Sequence, residues 1–302
     1  MSGKGLNKLA FGQLLSVLQA STGLINMFLN DYIGVNIPIL QAALTYSLLT
    51  LLFLVSPDSK GKWEFTFLGF DKLSRSVLAA LIGAAVFDVL ASWMIVACFA
   101  RLQLSLVILL LGWSTPASLL FNHFWNPRKY TKAQYFGIVL ALASIILYFG
   151  SMAVFTAPLW YLLLGSGAAV AYAASNNFQE FACSRVSSSQ FLFCLGGVGA
   201  GLSLSALAFA DDLAVFFKAF DVLVAGMVAL YVTLLTCFYC LIPVYLRKNS
   251  AVSFNLSLLS ANFMGCAVEA LVKGIPEWKL ILAVAGLTAG LLIFYLNEAD
   301  VE

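Results

Sequence analysis

The residue whose chemistry most needs a reason is an aspartate inside an apolar run. Asp88 lies in "AAVFDVLASW", about 12 residues into its run and so roughly 18 Å along a helix axis. A carboxylate near the centre of a bilayer costs about 2.5–3.5 kcal/mol on translocon scales. Such a group either works on a solute or a proton, or sits protonated and hydrogen-bonded to an adjacent helix; both readings stay open here. Ser92, at i+4, shares its face and is within reach of the carboxyl group. Ala91, at i+3, leaves room for a close neighbour.

A second polar group interrupts the sixth run, "AYAASNNFQEFACSR". Tyr172, Ser175, Asn176, Gln179, Glu180 and Cys183 recur at i, i+3, i+4 spacing and share one face. Ala174, Phe178 and Phe181 point elsewhere. A polar stripe on an apolar helix lines either a cavity or a seam between helices. Asn176 reads as lining; Glu180, close to the helix end, is either lining or simply solvated. The ninth run, "SFNLSLLSANF", places Asn255 and Asn262 on one face and Ser253, Ser257 and Ser260 on another. These amides and hydroxyls contact a solute or glue helices together. The N-x-S sequon at Asn255 cannot be glycosylated inside a bilayer. Arg101 and Arg247 sit in very short basic turns and, with Glu180, read as rim or gating residues; Glu269 reads as interfacial.

Other chemistries find little support. Cys237 and Cys240 form a C-x-x-C within a helix-length run that has no second ligand pair, so packing is the better reading. His123 has no partner motif and belongs at a helix end. No metal or cofactor is expected. There is no H-E-x-x-H, no G-x-S-x-G, no paired intramembrane aspartates and no nucleotide-binding glycine loop. "CLGGVGAGLSLS" follows no strand, so its small residues read as close helix packing. An enzyme is not expected. A net charge of +2 without a basic block makes nucleic acid an improbable partner. A small solute and the lipid bilayer are the expected partners, with a homodimer left open.

The elements that must carry these residues follow from composition. Of 302 residues, 62% are hydrophobic and only 10% charged, with a mean hydropathy of +0.97. A soluble domain needs roughly 25% charged residues, so the solvent is lipid. Ten runs approach the roughly 20 apolar residues that a spanning helix needs. They are residues 10–28, 37–55, 77–100, 104–124, 133–154, 159–183, 190–210, 223–246, 251–272 and 280–296. These runs are too long and continuous for barrel strands, and strands are not expected. The first run follows Lys4 and Lys8 but is too long for a signal-peptide core, and reads as a helix that stays.

With the N-terminus in the cytoplasm, that side holds twelve basic residues: Lys4, Lys8, Lys60, Lys62, Lys72, Arg75, Arg128, Lys129, Lys132, Arg185, Arg247 and Lys248. The far side holds four: Arg101, Lys218, Lys273 and Lys279. This bias puts both termini in the cytoplasm. The connections at 56–76 and 211–221 mix aromatic and charged residues and suit the headgroup layer. Pro116 and Pro243 each deprive a helix of a backbone donor and mark plausible kinks.

"ARLQLSLVILLLGWSTPASL" and "LRKNSAVSFNLSLLSANFMG" are alike at an offset of about 146 residues, with Ser114 matching Ser260 and later helices ending near Tyr148 and Tyr295. That offset divides ten helices into two fives, residues 1–154 and 155–302. Five is odd, so the second half enters the membrane from the opposite side. The expected fold is all-α and polytopic: ten transmembrane helices as two inverted five-helix repeats in one membrane unit. Many alternating-access transporters share it, with a site near the midplane.

"GQLLSVLQASTGLINMFLNDYIGVNIPILQAALTY", "FDVLASWMIVACFA", "AYAASNNFQEF" and "SAVSFNLSLLSANF" together resemble the F branch of solute carrier family 35. That branch belongs to the drug/metabolite transporter superfamily, whose best-known relatives carry nucleotide sugars. The resemblance runs from about Phe11 to Tyr295 and implies the same five-plus-five fold. Asp88 matches the branch's third-helix Asp. Ser175, Asn176 and Glu180 match its S-N-x-x-x-E run, and Asn255 its ninth-helix Asn. Departures are Leu90, Ser92, Ala97, Ile108, Leu111 and Asn262, where the branch carries Glu, Asn, Lys, Gln, Asp and Asp. Much of the family's buried charge is thus absent, which weighs against an inherited substrate.

The resemblance implies a secondary transporter of a small organic solute. A phosphate-bearing solute calls for Arg or Lys in the cavity, and none lies deep in a run. A neutral or cationic solute is therefore expected, with Asp88, Ser92, Tyr172, Asn176, Asn255 and Asn262 binding it and Asp88 coupling to protons. The alternative is a non-transporting membrane relative with an assembly or regulatory role, motivated by the lost charges.

Overall fold

The computed structural model describes residues 3–57, 63–99, 101–102, 104–125, 129–152, 158–273 and 278–297. In chain order these form α1 (Gly3–Met27), a π-helical turn (Phe28–Ile33), α2 (Pro38–Leu52), β1 (Val55–Pro57), β2 (Trp63–Phe65) and a 3-10 turn (Thr66–Lys72). There follow α3 (Arg75–Phe99), α4 (Leu104–Leu111), α5 (Ser114–Trp125), α6 (Lys132–Met152), α7 (Leu159–Cys183) and α8 (Ser188–Leu207). The last are α9 (Asp212–Lys218), α10 (Val222–Leu246), α11 (Ala251–Lys273) and α12 (Trp278–Leu296). Nine of the ten apolar runs each correspond mainly to one helix, and the fourth to two. Arg75–Cys98, Ser188–Leu207 and Val222–Leu246 are long and apolar enough to cross a membrane; Pro38–Leu52, Lys132–Leu147, Ala251–Met264 and Ile281–Leu296 are shorter apolar helices. Lys60, Lys62, Arg128 and the boundary at 154/155 lie outside the described residues, as do the side chains of Lys4, Lys72, Tyr148, Cys266, Glu269 and Lys273.

Two expectations need correction. Strands do occur: β1 and β2 pair antiparallel, with Val55 opposite Phe65 and Pro57 opposite Trp63. They are three residues each, they lie in the connection after α2, and they satisfy backbone groups that no helix serves there. The fourth run is not one helix. Pro116 has no N–H for the carbonyl of Gly112, four residues back, and its ring crowds that carbonyl. Gly112 O accepts instead from Thr115 N at 3.4 Å, and the chain restarts as α5. Pro116 therefore sits in the first turn of a new helix. His123 falls in the last turn of α5, at a helix end as expected.

The helix ends are set by local chemistry. Ser187 and Gln190 form a reciprocal capping box that opens α8. Thr131 and Gln134 exchange the same two bonds ahead of α6, at 3.2 and 2.9 Å. Ser250 Oγ accepts from Ser253 N at 3.1 Å to open α11. Gly34 closes the π-helical turn with φ 78°, a left-handed conformation that favours glycine. Pro38 begins α2, and Asp212 Oδ2, from α9, accepts Ile39 N at 2.8 Å and Leu40 N at 2.9 Å.

The chain forms two compact units whose boundaries fall inside α1, α3 and α7 and between α10 and α11. One comprises Ser21–Leu90 and Ser175–Lys248. Within it α2 packs along α8, and α10 packs on both. Its apolar core includes Leu29, Val35, Ile37, Leu40, Val224 and Val228. The other comprises Met1–Ala20, Ala91–Ala174 and Asn249–Glu302. There α6 packs along α12, and α5 and α12 contact α11. Ile138, Ala141, Leu256, Leu287 and Phe294 are in its core.

Candidate functional site

Asp88 sits midway along α3 and is 5% exposed. Two phenols reach it. Tyr46, from α2, donates to Asp88 Oδ2 at 2.6 Å, and Tyr239, from α10, donates to the same oxygen at 2.6 Å. Both are short O–H···O hydrogen bonds. The two hydroxyls lie 3.1 Å apart, and the rings are tilted by 42° with centroids 5.7 Å apart. Asp88 Oδ1 takes no hydrogen bond from the described residues. The carboxyl group is thus held from two helices by one oxygen.

Local sequence positions each phenol. Glycines in α8 make room for α2: a Cβ at Gly196 would lie 2.7 Å from Thr50 N, and one at Gly199 would lie 2.6 Å from the Tyr46 ring. "CLGGVGAGLSLS" is therefore a stretch of close helix packing, and it seats the tyrosine that holds Asp88. On α10, Pro243 has no N–H for the carbonyl of Tyr239, four residues back. That helix is free to bend at the residue that clasps the aspartate.

The polar face of α7 is buried from Ser175 onward, with Asn176 at 5% and Glu180 at 2% exposure. This removes the solvated reading of Glu180. Ser175 Oγ donates to Ala84 O at 2.8 Å, tying α7 to α3. Gln179 Nε2 donates to Ser175 Oγ at 3.0 Å, while Gln179 Oε1 is a buried acceptor with no donor among the described residues. Phe178 points off the stripe and stacks on Phe87.

The expected site residues separate between the two units. Asp88, Asn176, Glu180 and Arg247 belong to one, and Ser92, Tyr172, Asn255, Asn262 and Arg101 to the other. Ser92 does not bond the carboxyl group of Asp88; its hydroxyl pairs with that of Tyr172 at 3.1 Å. Asn255 gives its amide protons to Ser118 Oγ at 2.7 Å and Ala251 O at 2.9 Å, so in this structure it ties α11 to α5. Asn262 is half-buried and Arg101 is exposed. Arg247 is exposed at the end of α10, yet its guanidinium donates to Cys183 O at 3.0 Å and Val186 O at 2.7 Å, capping the C-terminus of α7.

Tyr46 and Tyr239 were not among the residues read from sequence. Their signal was there: a tyrosine deep in an apolar helix, away from the interfacial belts, needs a partner for its hydroxyl. The buried face of α5, with Thr115, Ser118 and Asn122, was missed as well, although it repeats at helical spacing.

A family model described as solute carrier family 35 (SLC35F) matches residues 2–296. The chain belongs to solute carrier family 35. An uncharacterized member of solute carrier family 35 from Schizosaccharomyces pombe is 23% identical over 297 residues, covering 94% of this chain and 56% of that protein. Solute carrier family 35 member F2 of Mus musculus is 24% identical over 280 residues, covering 85% of this chain and 69% of that protein. The chain thus spans little more than half the length of the first relative. A crystal structure aligns over 96% of both chains with a TM-score of 0.69 and 14% identity, a likeness of fold. Members of family 35 are integral membrane solute carriers rather than enzymes, and the apolar helices of this chain fit that setting.

Proposed function

We propose that this family 35 member is a secondary transporter that moves a small neutral or cationic organic solute by alternating access. Its ten membrane spans form two inverted repeats of five, residues 1–154 and 155–302, with both termini in the cytoplasm. The observation that carries the reading is Asp88, a carboxyl group deep in an apolar helix and hydrogen-bonded from α2 and α10. A deep carboxylate without a deep Arg or Lys favours a cation or a proton and disfavours phosphate. Asp88 binds the solute and exchanges a proton as the site turns from one side of the membrane to the other. Asn176 and Glu180, buried on the face of α7, line the path.

The test is uptake into proteoliposomes from a mixed pool of small solutes, read by mass spectrometry. Wild-type protein is expected to accumulate a neutral or cationic solute, and Asp88→Asn to take up about tenfold less. Equal uptake removes Asp88 from the mechanism, and uptake of a nucleotide sugar reverses the substrate class. Ile108, where the family branch carries Gln, lies in an apolar core cluster, which favours a second reading: a non-transporting relative with an assembly or regulatory role. Absence of flux for every solute, together with a co-purifying membrane partner, decides for it.

A further inference from the structure

Building on the carrier reading, we infer that Tyr46 and Tyr239 make Asp88 a receptor for one N–H of a protonated amine, and set it against cations that carry no N–H. Each phenol gives its single proton to Oδ2. A carboxylate oxygen has about two lone-pair positions, so Oδ2 is filled. Oδ1 takes no hydrogen bond from the described residues. One directional acceptor remains. The two charge-assisted bonds also disperse the negative charge of the carboxylate onto the phenols. This weakens the undirected attraction that a cation without donors depends on, and leaves the hydrogen bond at Oδ1 as the main recognition element.

Burial sharpens the distinction. At 5% exposure, a cation arriving at Asp88 sheds most of its water. A protonated amine recovers a charge-assisted hydrogen bond there, and a quaternary ammonium recovers none. A divalent metal ion needs six or more oxygen ligands, whereas two of the four oxygens gathered here belong to phenols that donate to the carboxylate. The competing possibility is an aromatic cage built on the two rings, 5.7 Å apart. The hydroxyl ends of both rings, however, are the parts bonded to the carboxyl group.

Full-length purified protein titrated with triethylammonium and with tetraethylammonium chloride tests this, because the two cations are similar in size and equal in charge and differ in the N–H. Calorimetry of wild-type protein is expected to show triethylammonium binding roughly tenfold to a hundredfold more tightly. Tyr46→Phe and Tyr239→Phe are each expected to shrink that ratio, chiefly by strengthening tetraethylammonium. Asp88→Asn should lose both. Equal affinities, or a preference for tetraethylammonium, overturn the inference while leaving Asp88 a cation site and the carrier reading intact. Binding of neither probe, or binding that survives Asp88→Asn, also overturns it, and the uptake assay then judges the carrier reading separately.

Discussion

At the scale of single residues, the same side-chain types do different work in this chain. Asn255 and Asp88 both lie deep in apolar helices, but Asn255 spends its amide protons on Ser118 and Ala251, while Asp88 keeps an oxygen free of the described residues. Removing one member of a buried hydrogen-bonded group costs more than the bond is worth, because the partners are orphaned. Asp88→Ala leaves two buried phenols without their acceptor and should destabilise the protein by about 1–3 kcal/mol, read as a lower unfolding temperature in detergent. Tyr46→Phe/Tyr239→Phe in the Asp88→Ala background should recover part of that loss. A double variant no more stable than Asp88→Ala alone would mean that the phenols find other partners.

At the scale of elements, the position of Tyr46 is decided by helix-to-helix distance, and that distance by glycine. Gly199 has the Tyr46 ring where a Cβ would go, whereas Gly197 and Gly201 have nothing within 4 Å of theirs. Gly199→Ala should therefore push the ring off its seat, at a cost of about 1–3 kcal/mol for overpacking, and weaken cation binding at Asp88. Gly197→Ala and Gly201→Ala leave packing untouched and should match or slightly exceed the wild-type unfolding temperature, since alanine is the better helix former. A uniform response across the three positions would remove the seat from the account. Asp212 shows the same dependence on neighbours: a residue of α9 caps α2, far from it in sequence.

For the whole molecule, the two close helix pairs share a pattern. α2 is the second apolar run and α8 the seventh; α6 is the fifth and α12 the tenth. Each pair joins a run to the one five places later. In the second pair glycine again sets the distance, with a Cβ at Gly137 meeting Gly290 O at 2.6 Å and one at Gly290 meeting Gly137 O at 2.6 Å. Pairing of counterparts is what the proposed repeat calls for, and each compact unit draws helices from both halves of the sequence. Single-cysteine variants near residues 4 and 299, in a cysteine-free background, should both react with an impermeant maleimide added from the cytoplasmic side and both be protected from the other. Labelling from opposite sides would rule out ten spans and with them the inverted repeat.

The sequence by itself determined that the chain is helical and lives in lipid, because 62% hydrophobic residues leave no other solvent for ten long runs. It also put Asp88 deep within its run and gathered the polar residues of α7 on one face, since depth within a run and helical periodicity are local properties; that the face is buried as far as Glu180 came only with the packing. Tertiary structure alone decided what those residues touch. Ser92 stood at the right spacing for Asp88 and bonded Tyr172 instead, while the partners of Asp88 came from helices 42 and 151 residues away in sequence. Hydrogen bonds between helices depend on packing distances, and for Tyr46 two glycines of α8 set that distance.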